Sequence, residues 1–414
     1  MGPLALIAKA AGFTVWGSDL AEGAIDEELI RAGIEICIGK QDGQFLRQKL
    51  EEGVDWFCYT SALPKNHPEL KLAQEAGIKC TKRDDLTAFL VRRLGLKMVA
   101  VAGTHGKTTT TAMIVWLALK LGLPVSYIVG TTLGFAPSGS YHEGDKYFIY
   151  EADEYDRNFL KYHPWLAVIP AISYDHPDIY PTKEDYKVAF SQFEAQSQYV
   201  IKLSEEYNEN DFRLAGSARR KDASLAAEAV IRMGRDYEVE QSEVTDYSKE
   251  VLVQILNEFP GVGRRFEKIA ERVYTDYAHH PEEIMATMDV AKDEKQLQNY
   301  AGIVVVYQPH QNTRQHEVRA GYKDAFMGAD KVFWLPTYLT RENPDLEVIT
   351  PEEFVRDLAN FDVAETAVLD NELAMKLREY VARGYMVILM TAGPADGWLR
   401  SVFLEKVKNR LCFF

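Results

Sequence analysis

A chain of 414 residues exceeds what one hydrophobic core fills, so two to four domains are expected. Its formal net charge of −15 argues against nucleic acid as the main partner, which needs a basic surface, and its 47% hydrophobic content excludes a disordered chain. Four cysteines (Cys37, Cys58, Cys80 and Cys412) have no paired spacing, and no run reaches ~18 apolar residues. A disulfide framework, a zinc site and a membrane span are therefore not expected, nor is any role at a membrane, and a reducing cytoplasm is the expected location. The first residues lack a basic stretch, so no signal peptide is expected.

Short apolar strands alternate with helical patterns along most of the chain, which predicts an α/β fold with largely parallel sheets. Strands are expected at 13–16, 34–38, 56–59 and 78–80, with helices over 26–32, 42–51 and 68–76 between them. This reads as a Rossmann-like unit whose first strand and glycine turn are missing, because Met1, Gly2 and Pro3 already look like a helix start. A basic connector at 91–97 marks one boundary and the stretch 258–263 a second. Three domains follow, over 1–96, 97–259 and 260–414. The second has expected strands at 125–129, 147–150 and 166–170, a polar stretch over 204–221 and a helix over 223–233. The third has expected strands at 272–276, 303–307, 331–335 and 385–390.

The densest chemistry follows the apolar run 97–102. Gly103-Thr104-His105-Gly106-Lys107-Thr108-Thr109 reads as a strand, a glycine turn and a hydroxyl-rich helix start, the pattern that wraps the phosphates of ATP. Gly103 and Gly106 let the backbone approach phosphate oxygens, Lys107 would reach the β- and γ-phosphates, and Thr108 would offer its hydroxyl to Mg²⁺. The full pattern wants a glycine where Val101 stands, so this is a short variant of the loop.

Four carboxylates lie within Glu151-Ala152-Asp153-Glu154-Tyr155-Asp156, at the end of the next expected strand. Oxygen ligands there suit a hard cation, and Glu151, nearest the strand, is the expected Mg²⁺ ligand. Asp175-His176-Pro177-Asp178 follows another strand and offers His176 to a second cation. In the last segment, Arg264 and Arg265 on a glycine turn suit phosphate or carboxylate. Asp276 would hold a ribose hydroxyl, and His310 with Arg314 would meet a small carboxylate. The turn at 391–397 reads either as a small-molecule loop or as a plain β–α connection.

Taken in this order, the motifs resemble the Mur ligase family over nearly the whole chain, and its L-alanine-adding branch most. The resemblance implies three domains: a Rossmann-like N-terminal domain, a P-loop ATPase domain and a Rossmann-like C-terminal domain. It implies an ATP-dependent ligase of peptidoglycan precursor synthesis that joins L-alanine to the carboxylate of UDP-N-acetylmuramate through an acyl phosphate. A recycling ligase that adds a tripeptide, and a non-catalytic nucleotide-binding relative, are the alternatives. By the same resemblance Lys107, Glu151, His176 and Arg314 are catalytic, and Thr108, Glu151 and His176 hold Mg²⁺. ATP would meet residues 103–109, Arg265 and Asp276, and Ser18, Asp19 and Ser61 would meet the UDP-sugar. Tyr277, His279, His310 and Arg314 would line the amino-acid pocket, and the enzyme would close on its substrates as a monomer or homodimer. Gln311 stands where many members carry a basic residue, Arg219 to Ser224 replace an Asn-rich helix start, and Lys187 is the nearest candidate for carbamylation.

Overall fold

The structure is a computed structural model and describes residues 1–23, 25–60, 63–176, 179–241, 246–340 and 342–404. It packs as two compact units, one of residues 1–212 with 221–260 and one of residues 213–220 with 261–414. Among the described residues no helix is long and apolar enough to cross a membrane.

The first unit opens with helix Gly2–Ala10, whose Pro3 sits in the first turn, where a missing N–H costs nothing. Strands β1 (Trp16–Asp19) and β2 (Glu35–Ile38) pair in parallel, as do β3 (Trp56–Tyr59) and β4 (Lys79–Lys82). Helices Asp26–Arg31, Gln44–Glu52 and Pro68–Glu75 connect them. The first strand starts three residues later than its periodicity predicts. Phe13 and Val15 pack instead against the core that buries Leu4 and Ile7. The connector at 91–97 is partly helical, because helix Arg83–Arg93 runs into it and Leu96 is buried.

The larger sheet of this unit contains β5 (Lys97–Val101), β6 (Val125–Ile128), β7 (Gly139–Ser140), β8 (Tyr147–Glu151), β9 (Leu166–Val168) and β10 (Tyr199–Ile201). Its order is β10-β9-β5-β8-β6-β7, and only β7 runs antiparallel. The middle strands are continuous apolar runs because both faces are covered, and Val99, Ala100 and Val101 have no exposed surface. Strand order reverses around β5, so the loops after β5, β8 and β9 gather at one end of the sheet.

The second unit holds β11 (Glu267–Ala270), β12 (Val273–Asp276), β13 (Ile303–Gln308), β14 (Lys331–Trp334), β15 (Ala364–Thr366) and β16 (Met386–Thr391). The order is β11-β12-β16-β13-β14-β15, parallel except for β11. One face packs an aromatic core around Tyr307, Trp334 and Phe354, and the other packs Val304, Phe333 and Leu389. Helix Ser217–Gln241 begins inside the stretch whose composition reads as polar. Its first turn belongs to the second unit, where Asp293 accepts hydrogen bonds from the Gly216 N–H (2.9 Å) and the Arg220 guanidinium (3.0 Å).

Candidate functional site

The glycine turn after β5 folds as its sequence predicts. Gly103 and Gly106 take φ of +151° and +82°, a region that favours glycine. A Cβ on Gly103 would come within 2.6 Å of the Ala171 carbonyl oxygen, and one on Gly106 within 2.6 Å of an Asp222 carboxylate oxygen. Helix Lys107–Lys120 starts at once, so its first N–H groups and its dipole face the turn. Thr104 stitches the turn to the loop after β9. Its hydroxyl donates to the Ser173 carbonyl (2.6 Å), accepts from the Ser173 N–H (2.9 Å) and meets the Tyr186 hydroxyl (2.8 Å). His105 and Thr109 lie in the same turn and first helical turn, each half-buried.

Thr108 and Glu151 come together as predicted, the Thr108 hydroxyl lying 2.9 and 3.0 Å from the two Glu151 oxygens. Lys107 and His176 also meet, through a residue that sequence reasoning left without a role. Glu154 is 1% exposed, and both its oxygens accept from the Lys107 ammonium, at 2.9 and 3.0 Å. His176 Nε2 lies 3.5 Å from Glu154 Oε1, and its ring packs edge-on against Tyr155. Burial alone would raise the Glu154 carboxyl, but Lys107 and His176 hold it down at about 2. Burial likewise works against the Lys107 ammonium, yet Glu154, Glu151 and Asp153 keep it above its ordinary value. Burial and the Glu154 charge together push Asp153 up.

His176 (φ +58°), Asp156 and Arg157 (both +55°) occupy the left-handed region, which costs energy outside glycine and clusters at working sites. Hard oxygen donors on Thr108 and Glu151 beside an imidazole and a second carboxylate form a donor set that fits Mg²⁺. Asp222 is a second residue the sequence did not single out, a buried carboxylate against the glycine turn.

Two other predicted positions in this unit, Ser18 and Asp19, lie elsewhere. Ser18, within β1, donates to the buried Glu69 carboxylate (2.6 Å) while accepting from Gln41 (3.0 Å). Asp19 is exposed and accepts from the Leu20 N–H (2.7 Å). Among the described residues neither hydrogen-bonds to the glycine turn. Ser61, Pro177, Asp178 and Cys412 lie outside the described residues. Lys187 is exposed on helix Lys183–Gln196, and it is its neighbour Tyr186 that reaches Thr104 of the glycine turn.

In the second unit the predicted residues gather at the C-terminal ends of β12, β13 and β16. Burial raises the Asp276 carboxyl, and its two oxygens accept from the Phe266 N–H (2.6 Å) and the Ala278 N–H (2.7 Å). The guanidinium groups of Arg264 and Arg265 lie 4.7 and 5.0 Å from the Tyr277 ring centre. Arg264 also donates to the Thr391 carbonyl (2.7 Å), so the turn at 391–397 anchors it. His279 packs edge-on between Tyr277 (5.6 Å) and His310 (5.8 Å) and pairs with Glu283 (3.2 Å). His310 in turn meets Tyr338 at 5.7 Å. Arg314 is half-buried on helix Asn312–Val318, directly after Gln311 at φ +64°.

Three family models match in succession: "Mur ligase family, catalytic domain" over residues 1–94, "Mur ligase middle domain" over 101–259 and "Mur ligase, glutamate ligase domain" over 264–393. The UDP-N-acetylmuramate–L-alanine ligase of Clostridium tetani is 30% identical, covering 95% of this chain and 93% of its own. That of Acetivibrio thermocellus is 31% identical over 84% of this chain and 81% of its own. Among solved structures, UDP-N-acetylmuramate-alanine ligase from Thermotoga maritima superposes with a TM-score of 0.75 at 21% identity, covering 97% of this chain and 95% of its own. A murein peptide ligase from Psychrobacter arcticus gives 0.62 at 22% identity, with coverage of 97% and 95%. Both likenesses concern the fold.

Proposed function

Because the chain belongs to the Mur ligase family, whose members are ATP-dependent ligases, we propose that it joins L-alanine to the carboxylate of UDP-N-acetylmuramate. The observation that carries this reading is the pairing of Thr108 with Glu151 beside the Lys107–Glu154–His176 row, on loops of three adjacent strands. The names of the full-length relatives support the choice of substrates.

A carboxylate oxygen of the muramyl group attacks the γ-phosphorus of ATP, and the bond to the leaving ADP oxygen breaks. The acyl phosphate then meets the amine of L-alanine. A C–N bond forms, the amine loses a proton, and the C–O bond to phosphate breaks. Anionic carboxylate and triphosphate repel one another, so the Lys107 ammonium must stand between them in a dry setting where its charge counts. Thr108, Glu151 and His176 would hold Mg²⁺, which screens phosphate charge when bound. The backbone of residues 103–109 cradles the phosphates, and Arg265 and Asp276 are further proposed contacts of ATP. Arg314 and His310 face the carboxylate of L-alanine, flanked by Tyr277 and His279. Residues 1–96, with Ser18, Asp19 and Ser61, hold the UDP-sugar, 97–259 act on ATP and 260–414 on the amino acid. The proposed setting is the cytoplasm, as a monomer or homodimer.

Phosphate release tests the assignment. With UDP-N-acetylmuramate, ATP and Mg²⁺, release is expected on adding L-alanine. Release only with the tripeptide L-Ala-γ-D-Glu-meso-diaminopimelate, or ATP binding without any turnover, overturns it. Lys107→Ala should lower turnover by ~10³-fold or more with the fold retained, as judged by circular dichroism.

A further inference from the structure

The ammonium that this chemistry needs is already fully engaged. Lys107 has three N–H donors. Its acceptors are both Glu154 oxygens (2.9 and 3.0 Å) and the Gly103 carbonyl (2.5 Å), with the Thr104 carbonyl farther off at 3.5 Å. Triphosphate oxygens can reach this ammonium only by replacing one of the protein's own acceptors. Of those, Glu154 is the charged one, and it competes with phosphate for the same cation.

Glu154 is also almost wholly enclosed, so losing Lys107 outright would leave a buried charge without a partner, which is costly. His176 provides the remaining partner, its Nε2 lying 3.5 Å from the same carboxylate. The main chain cannot follow the moving lysine. The Tyr180 hydroxyl donates to the Glu154 carbonyl at 2.6 Å, and the Arg157 N–H donates to it at 3.1 Å. The backbone of Glu154 is therefore held in place, and its carboxylate lies between the Lys107 ammonium, which a phosphate would draw away, and the His176 ring.

We propose that Glu154 is a positioning residue that holds Lys107 until a triphosphate displaces it, and then turns to His176. The exchange rests on the ATP-dependent reading above. It lets an empty site keep its lysine paired, and it makes phosphate binding the event that frees Lys107. Once Lys107 has left, His176 Nε2 can donate to Glu154 and so keep the buried carboxylate paired.

Isothermal titration of the full-length protein with Mg-ATP, in the absence of the other substrates, tests the exchange without turnover. Glu154→Gln keeps the shape of the side chain and removes the competing charge. It should bind Mg-ATP ~10-fold more tightly, gain more thermal stability from Mg-ATP than wild type, and bind AMP as wild type does. Its kcat should nevertheless fall ~100-fold, because Lys107 and His176 lose their alignment. A residue of purely structural importance would not tighten ATP binding. A folded Glu154→Gln protein that binds Mg-ATP no more tightly than wild type overturns the proposal. Should that variant fail to fold, Glu154→Asp decides: a shorter carboxylate should loosen the grip and tighten ATP a few-fold, and unchanged or weaker binding overturns the exchange. Wild-type protein that binds ATP but releases no phosphate with UDP-N-acetylmuramate and L-alanine counts against the proposed function alone, since the titrations stand apart from it.

Discussion

Thr104 shows how much of the site hangs on a single hydroxyl. It is 9% exposed and makes three hydrogen bonds, to both backbone groups of Ser173 and to Tyr186. Through them the phosphate turn and the loop carrying His176 are held as one piece. Thr104→Val keeps the shape but leaves the Ser173 carbonyl and N–H without that partner in a mostly buried setting, a cost of about 1–3 kcal/mol per group. The variant should fold, melt several degrees lower and lose ~10–100-fold in kcat as His176 drifts from Lys107; thermal melts and steady-state phosphate release check both. Tyr186→Phe removes one of the three bonds and should cost only about 0.5–1.5 kcal/mol. The placing of residues 103–109, Glu151 and His176 on neighbouring loops was legible in the sequence because each position depends on local spacing at a strand end. Glu154 and Tyr186 were not, because their partners lie 47 and 82 residues away, and only the parallel order of β9, β5 and β8 brings them within reach.

Among the elements, helix Arg83–Arg93 joins the larger sheet of its unit through a carboxylate. Asp84 is 2% exposed and accepts from the hydroxyls of Tyr150 (3.1 Å) and Tyr162 (2.9 Å). The nearby Lys161–Asp85 bridge is far more open to water and contributes little. Asp84→Ala should therefore destabilise by about 2–4 kcal/mol, because it strands two buried hydroxyls, while Asp85→Ala should cost under about 1 kcal/mol; urea titrations of both compare them. In the second unit, the bond from the Gly216 N–H, together with Arg220, holds the Asp293 carboxyl below the usual carboxylate range. Its contribution is present above that range and is lost as pH falls through it. Asp293→Asn should lower the urea midpoint at pH 7 and make stability less sensitive to pH between ~5 and ~3, a difference seen by repeating the titration across that window. The helices and strands themselves were largely readable, since buried parallel strands are plain apolar runs. The start of β1 and of helix Ser217–Gln241 was not. Phe13 and Val15 have strand character but serve a helix-lined core, and the polar stretch before Lys221 hides the first turns of a long helix.

For the whole molecule the governing quantity is charge. The chain carries −15, yet the proposed substrates, ATP and a UDP-sugar, are themselves anions. At low salt, where the screening length grows to ~30 Å at 0.01 M, the protein's net field repels them well before contact. In the proposed function the attraction would come from a few cations meeting the substrates directly, with Lys107 the one proposed to reach the phosphates of ATP. Salt weakens long-range repulsion between exposed charges far more than it weakens contacts made inside a partly buried site. Raising the salt from low to near-physiological strength should therefore raise kcat/KM for Mg-ATP, by ~2–3-fold between 20 and 150 mM KCl at fixed Mg²⁺. This is the opposite of the steep loss that a basic, phosphate-binding surface shows. Phosphate release measured across that salt range decides the sign. A steady fall would mean that the local cations, and not the overall acidity, set the field that ATP meets on approach.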